Sequence, residues 1–146
     1  MPLRTVGTPP LPPLKQYAIS SVVLHGHDAE GSSTSTTYVK VKTITISVLA
    51  PTPIVIRTYF EMRRGAGVDY VYGRIYKNGV AVGTEQSTNS TAFPSSTEDL
   101  SFAEGDTLEL WVNRGAATDA VHYRNFRVLG EERRAVHEDP FQGVNS

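Results

Sequence analysis

Tyr70-Val71-Tyr72-Gly73-Arg74-Ile75-Tyr76-Lys77-Asn78-Gly79-Val80-Ala81-Val82-Gly83-Thr84-Glu85 is the stretch that decides the fold. On a strand, successive side chains point to opposite faces. Val71, Gly73 and Ile75 therefore share one face, and Tyr70, Tyr72, Arg74 and Tyr76 share the other. Asn78-Gly79 closes the run. Both central positions of a type I′ hairpin turn need positive φ, so Asn-Gly between β segments predicts a hairpin, with Val80–Glu85 returning.

The same alternation extends outward in both directions. Downstream, Leu100 and Phe102 lead into the turn Glu104-Gly105-Asp106, after which Leu108, Leu110 and Val112 share a face. A last strand spans Ala120–Leu129, but its parity slips: Val121 and Tyr123 are followed by Phe126 and Val128. Upstream of the turn Arg64-Gly65-Ala66-Gly67, Ile54, Ile56, Phe60 and Met62 line one face, with Arg57, Tyr59 and Glu61 opposite. Before the turn Ala50-Pro51-Thr52-Pro53, Ile44, Ile46 and Val48 alternate with Thr43, Thr45 and Ser47. Val39 and Val41 fall on the other parity, which predicts a bulge near Lys42. Tyr17–Leu24 supplies one more strand, followed by a polar loop over residues 26–37. Turns every 8–14 residues and no helical periodicity predict about eight strands. The expected fold is an all-β, antiparallel, jelly-roll-like β-sandwich. Its core should include Ile44, Ile46, Ile56, Phe60, Ile75, Leu108, Leu110 and Phe126.

The ends of the chain differ from this body. Five of the first 13 residues are proline, and proline fixes φ and removes a donor. Residues 1–16 are therefore expected to form an extended, polyproline-like arm, with Leu3, Val6, Leu11 and Leu14 as apolar teeth. Residues 17–130 form the sandwich domain. Residues 131–146 form a polar tail in which Phe141 and Val144 offer an anchor.

Composition bounds the rest. The 146 residues suit one domain, and 39% apolar against 20% charged residues suits a globular one. A net charge of −1 excludes a nucleic-acid binder acting through bulk charge. The absence of cysteine excludes disulfides, thiolate zinc sites and a Cys nucleophile. No apolar run reaches the length of a membrane span, and Met1-Pro2-Leu3-Arg4 does not open a secretory signal.

Three segments carry a resemblance: Arg74 to Glu85, Phe102-Ala103-Glu104-Gly105-Asp106-Thr107-Leu108-Glu109-Leu110, and Tyr123-Arg124-Asn125-Phe126-Arg127-Val128. Together they resemble small β-sandwich modules of phage and prokaryotic-virus structural proteins. A Pro-rich arm on a short, cysteine-free β body is also similar to head-decoration proteins of tailed phages. The resemblance implies a virion structural protein, a capsid decoration subunit located in the virion. Its partners would be copies of itself, such as a trimer, and a major capsid or other virion protein, with no nucleic acid or membrane contacted directly. The alternative is a carbohydrate-binding module of a phage tail tip or a microbial surface protein.

Candidate sites follow from residue type. Tyr and Arg combine apolar area with polar tips and are enriched where proteins meet. The stripe of Tyr70, Tyr72, Arg74 and Tyr76, with Tyr59 and Arg57 one strand earlier, fits a subunit contact, an ordinary sheet surface or a sugar-stacking platform. Tyr59, Tyr70, Tyr72, Arg74 and Tyr76, with Leu3, Val6, Leu11, Leu14 and Phe141, make the expected partner-binding set. His25-Gly26-His27-Asp28 has two histidines on one strand face, with Glu30 or His122 as further ligands. A polar strand end explains it as well, so no metal or other cofactor is expected. There is no Gly-x-Ser-x-Gly elbow, and Glu98 and Asp99 point to opposite faces, so the chain reads as non-enzymatic. Pro10-Leu11-Pro12-Pro13-Leu14-Lys15 matches a short SH3-ligand pattern, Asn89-Ser90-Thr91 a glycosylation sequon, and Gly65-Ala66-Gly67 a turn rather than a phosphate loop.

Overall fold

A computed structural model describes residues 15–47, 53–116 and 119–134. The teeth Leu3, Val6, Leu11 and Leu14, and Phe141 and Val144 of the tail, lie outside the described residues, as do Val48 and most of the turn that begins at Ala50. The strands are β1 (Lys15–His27), β2 (Gly31–Ser33), β3 (Val39–Thr45), β4 (Ile54–Arg64), β5 (Val71–Lys77), β6 (Val80–Ala81), β7 (Gln86–Thr88), β8 (Ser95–Phe102), β9 (Thr107–Asn113) and β10 (Val121–Arg134). There is no helix among the described residues.

The strands form two antiparallel sheets. One runs β1-β10-β4-β8, with β2 also on β10; the other runs β3-β9-β5-β6, with β7 also on β5. β1 and β2 together occupy one edge, and β6 and β7 another. The ten segments thus fill eight strand positions. Every connection between those positions crosses from one sheet to the other, except the hairpin from β5 to β6. That is the jelly-roll order.

The hydrophobic alternation explains why the sheets face each other. Ile56, Phe60 and Met62 of β4, Ile75 of β5, Leu108, Leu110 and Val112 of β9, and Phe126 of β10 join one buried cluster with Ile44, Ile46 and Phe102. All eight core residues expected from the sequence are buried. Gly73 sits opposite the Phe60 ring. A Cβ there would lie 3.0 Å from both Phe60 and Met62, so its missing side chain is what lets the sheets close at that point.

The irregularities are also where the parity places them. β3 shifts register between Lys40 and Lys42. β10 shifts between Arg124 and Arg127 against β4, with Asn125 at φ 53°. Asn tolerates that left-handed geometry, and the extra residue turns both Tyr123 and Phe126 inward. Asn78 at φ 53° and Gly79 at φ 82° make the expected hairpin.

The returning strand is shorter than the sequence suggests. Pairing with β5 lapses over residues 82–85, because Val82 and Gly83 both donate to the Ile75 carbonyl and the Glu98 carboxylate accepts the Thr84 N–H. The paired backbone starts at Lys15 and runs to Arg134, which face each other across β1 and β10. Residues beyond Leu129 have no β4 partner, so Lys15–Ala18 and Glu131–Arg134 form a two-stranded ribbon. The segments 1–14 and 135–146 continue from adjacent strand ends.

Candidate functional site: two outer faces

The strand order separates the surface residues that the sequence grouped together. Tyr59 and Arg57 lie on β4, and Tyr72, Arg74 and Tyr76 lie on β5 of the other sheet. Both strands turn their apolar residues to the shared core, so these polar sets face outward on opposite sides of the sandwich. Tyr70 stands before β5, half exposed beside the exposed Val68.

On the β1-β10-β4-β8 face, charge is paired within the chain. Arg57 and Asp99 are cross-strand neighbours, and the guanidinium donates to both carboxylate oxygens at 2.8 and 3.0 Å. Arg127 holds Asp28 in the same way at 2.8 and 3.1 Å and lies over the Tyr59 ring. Arg124 donates to Glu61 at 2.6 Å and covers the Phe93 ring at 4.0 Å. Tyr59 donates its hydroxyl to the other Glu61 oxygen. Arg63 reaches Phe93 and Glu30, and His122 also approaches Glu30 at 3.8 Å.

Electrostatics follows that geometry. Hydrogen bonds from Arg127 hold the Asp28 carboxyl below its usual range, and those from Arg57 do the same for Asp99. Burial pushes the Glu61 carboxyl up, but hydrogen bonds from Tyr59, Arg124 and Asn125 outweigh it and hold Glu61 low. This face is a lattice that ties β4, β8, β10 and the loop after β1 to one another.

The β3-β9-β5-β6 face is centred on rings. Tyr76 stacks on Trp111 with centroids 4.2 Å apart and planes 9° from parallel, and Tyr38 leans on Tyr76 at 6.1 Å. The Tyr38 hydroxyl donates to Glu85 at 2.5 Å; burial and then that carboxylate push the phenol well above its usual range. Beneath the stack, Glu109 is buried. It accepts from Thr107, the Trp111 indole N–H and the Gly79 N–H.

The stripe residues are engaged locally. Arg74 donates Nε to the Gly83 carbonyl, and Tyr72 packs over Gly115, where a Cβ would meet its ring at 2.6 Å. A sugar ring stacks on a free aromatic face. One face of Tyr76 is already covered by the indole.

Trp111, Tyr38 and Glu85 complete this site and were not singled out in the sequence. The signal was there: Trp111 is the chain's one tryptophan, and it falls at the outward parity between Leu110 and Val112. Tyr38 gives no such signal, because its ring reaches its partners from outside the strand.

The His25 and His27 rings meet edge to face at 5.3 Å, while Asp28 is held by Arg127 and Glu30 lies with Arg63 and His122. Among the described residues no group of three or more His, Cys, Asp or Glu is placed to hold a metal ion. The sequon lies in an exposed loop, where the Asn89 carbonyl accepts from Arg64.

No family model matches the chain, and no curated protein matches it. Among solved structures it is similar to the structure of infectious bursal disease virus Gx strain, with a TM-score of 0.48 and 11% sequence identity. That match covers 94% of this chain, which spans 38% of the virus chain.

Proposed function

We propose that this chain is a structural subunit of a virion, and specifically a decoration subunit. Its jelly-roll body would sit on a capsid shell while its terminal segments reach neighbouring subunits. The observation that carries this reading is the β1–β10 ribbon, which brings the Pro-rich segment 1–14 and the tail 135–146 to adjacent strand ends. Two tethers anchored at one point raise avidity without strong single contacts. Prolines also reduce the entropy lost when an extended segment docks. The eight-position jelly roll is an architecture used by capsid and lectin domains, and the three segments resembling virion modules supply its β5, β9 and β10. The role is one of binding and assembly rather than catalysis.

The test is deletion of residues 1–14. The body keeps its own core, so the truncated chain should stay folded with nearly unchanged thermal stability. Its attachment to capsid shells, read by co-sedimentation, should weaken tenfold or more, equivalent to about 1.4 kcal/mol or more. Attachment equal to that of the full chain would remove the support for the decoration reading.

A further inference from the structure

We propose that a second copy of this chain docks on the outer face of the β3-β9-β5-β6 sheet. The two copies would meet face to face about a two-fold axis parallel to the strands. This deepens the structural-subunit reading, on which it rests, by assigning its self-contact a surface and a symmetry.

Edges and faces are the two ways sandwiches associate, and three edges of this one are obstructed. β8 points the Glu98 carboxylate inward, where it accepts the Thr84 N–H. β3 carries Lys40 and Lys42 at a register shift. β6 and β7 are two and three residues long. Inward charges, lysines, bulges and short strands all discourage edge pairing.

Of the two faces, the β1-β10-β4-β8 face spends its arginines on internal partners. The other has the anatomy of a docking surface, with Tyr38, Tyr76 and Trp111 at the centre and charge at the rim.

That rim is self-complementary. Lys40 lies on β3 at one edge, opposite Trp111 on β9. It is exposed and makes no ion pair or hydrogen bond with any described residue. Its charge reaches the buried Glu109 carboxyl only through space, and helps to hold it low. Glu85, also exposed, lies between β6 and β7 at the other edge and uses one carboxylate oxygen for Tyr38. The two charges stand at similar heights along the strands, since Trp111 pairs with Arg74 and the neighbouring Gly73 pairs with Gln86. A two-fold axis along the strands exchanges the edges. Lys40 of each copy then stands over Glu85 of the other, and the contact is made twice, as an isologous interface requires.

The experiment uses the full chain with K40E and E85K variants, followed by sedimentation velocity across a concentration series. The wild type should form a dimer. Each single variant faces like charge against like and should dissociate at least tenfold more readily. An equimolar mixture of the two should dimerise again, because each of the two contacts then sets a carboxylate against an ammonium. Circular dichroism checks that both variants are folded. If E85K is not, E85Q replaces it. Its mixture with K40E keeps one Lys40–Glu85 pair and loses the like-charge clash, so it should dimerise more readily than K40E alone.

A monomeric wild type, single variants that dimerise like wild type, or a mixture that gains nothing over its K40E component would each overturn the proposal. Deleting residues 1–14 leaves this face intact. Loss of shell attachment on that deletion and loss of dimer on charge reversal are therefore separate results.

Discussion

The two outer faces of this sandwich rise from the same core and use their polar residues in opposite ways. On the β1-β10-β4-β8 face, Arg57, Arg63, Arg124 and Arg127 each have a carboxylate partner from another segment of the chain. On the β3-β9-β5-β6 face the organising contact is a ring stack, and Lys40 makes no such pair with any described residue. A surface whose charges answer one another has little left to offer a partner. The proposed self-contact falls on the other face, where the rings are partly exposed and Lys40 is unpaired among the described residues.

Three measurements sharpen the contrast, beginning with the largest effect. Phe60→Ala removes a ring that packs beneath both faces. It should cost roughly 3–5 kcal/mol in denaturant unfolding and lower the stability of the whole domain as one unit. A smaller loss would mean the sheets close over the gap.

Glu61→Ala removes a buried acceptor from the Tyr59 hydroxyl and from Arg124, whose side chain is 41% exposed, on the paired face. It should cost roughly 0.5–1.5 kcal/mol, the net worth of an intramolecular hydrogen bond, because water can replace the carboxylate at the guanidinium. Trp111→Ala on the ring face loses a stack worth roughly 0.5–1.5 kcal/mol beyond its area. It should reduce self-association more than Glu61→Ala does, and the reverse ranking would break the comparison.

The third measurement is pH dependence. Asp28, Asp99 and Glu61 have carboxyls held below their ordinary values. A depressed carboxyl adds stability that is present above its unfolded pKa, about 4, and is lost as pH falls through the folded value. Thermal stability should therefore decline below about pH 4, and more shallowly in a variant in which Asp28 and Asp99 are both replaced by asparagine.

Much of the fold was legible because burial imposes a period of two. Ile54, Ile56, Phe60 and Met62 could hardly alternate without a core on one side. Even the defects were legible, since a parity slip such as Tyr123 to Phe126 needs an extra residue to correct it. The candidate site was less so. Nothing local says that β4 and β5 belong to different sheets, and that assignment sends Tyr59 and Tyr76 to opposite sides of the molecule. Partners such as Arg57 and Asp99, or Tyr38 and Glu85, are 42 and 47 residues apart. Their meeting follows from strand order, which alternation does not encode.

The ribbon that joins the two ends also has a mechanical meaning. Lys15 and Arg134 are neighbours at the mouth of an antiparallel pair. Tension drawn between the two terminal segments therefore opens that pair like a zipper, loading its hydrogen bonds one after another. Tension drawn on both segments together, against the body, pulls along the strands and loads many bonds at once. A chain with both segments fastened to one partner would resist in shear, while one fastened to two diverging partners would yield by peeling from the ribbon inward.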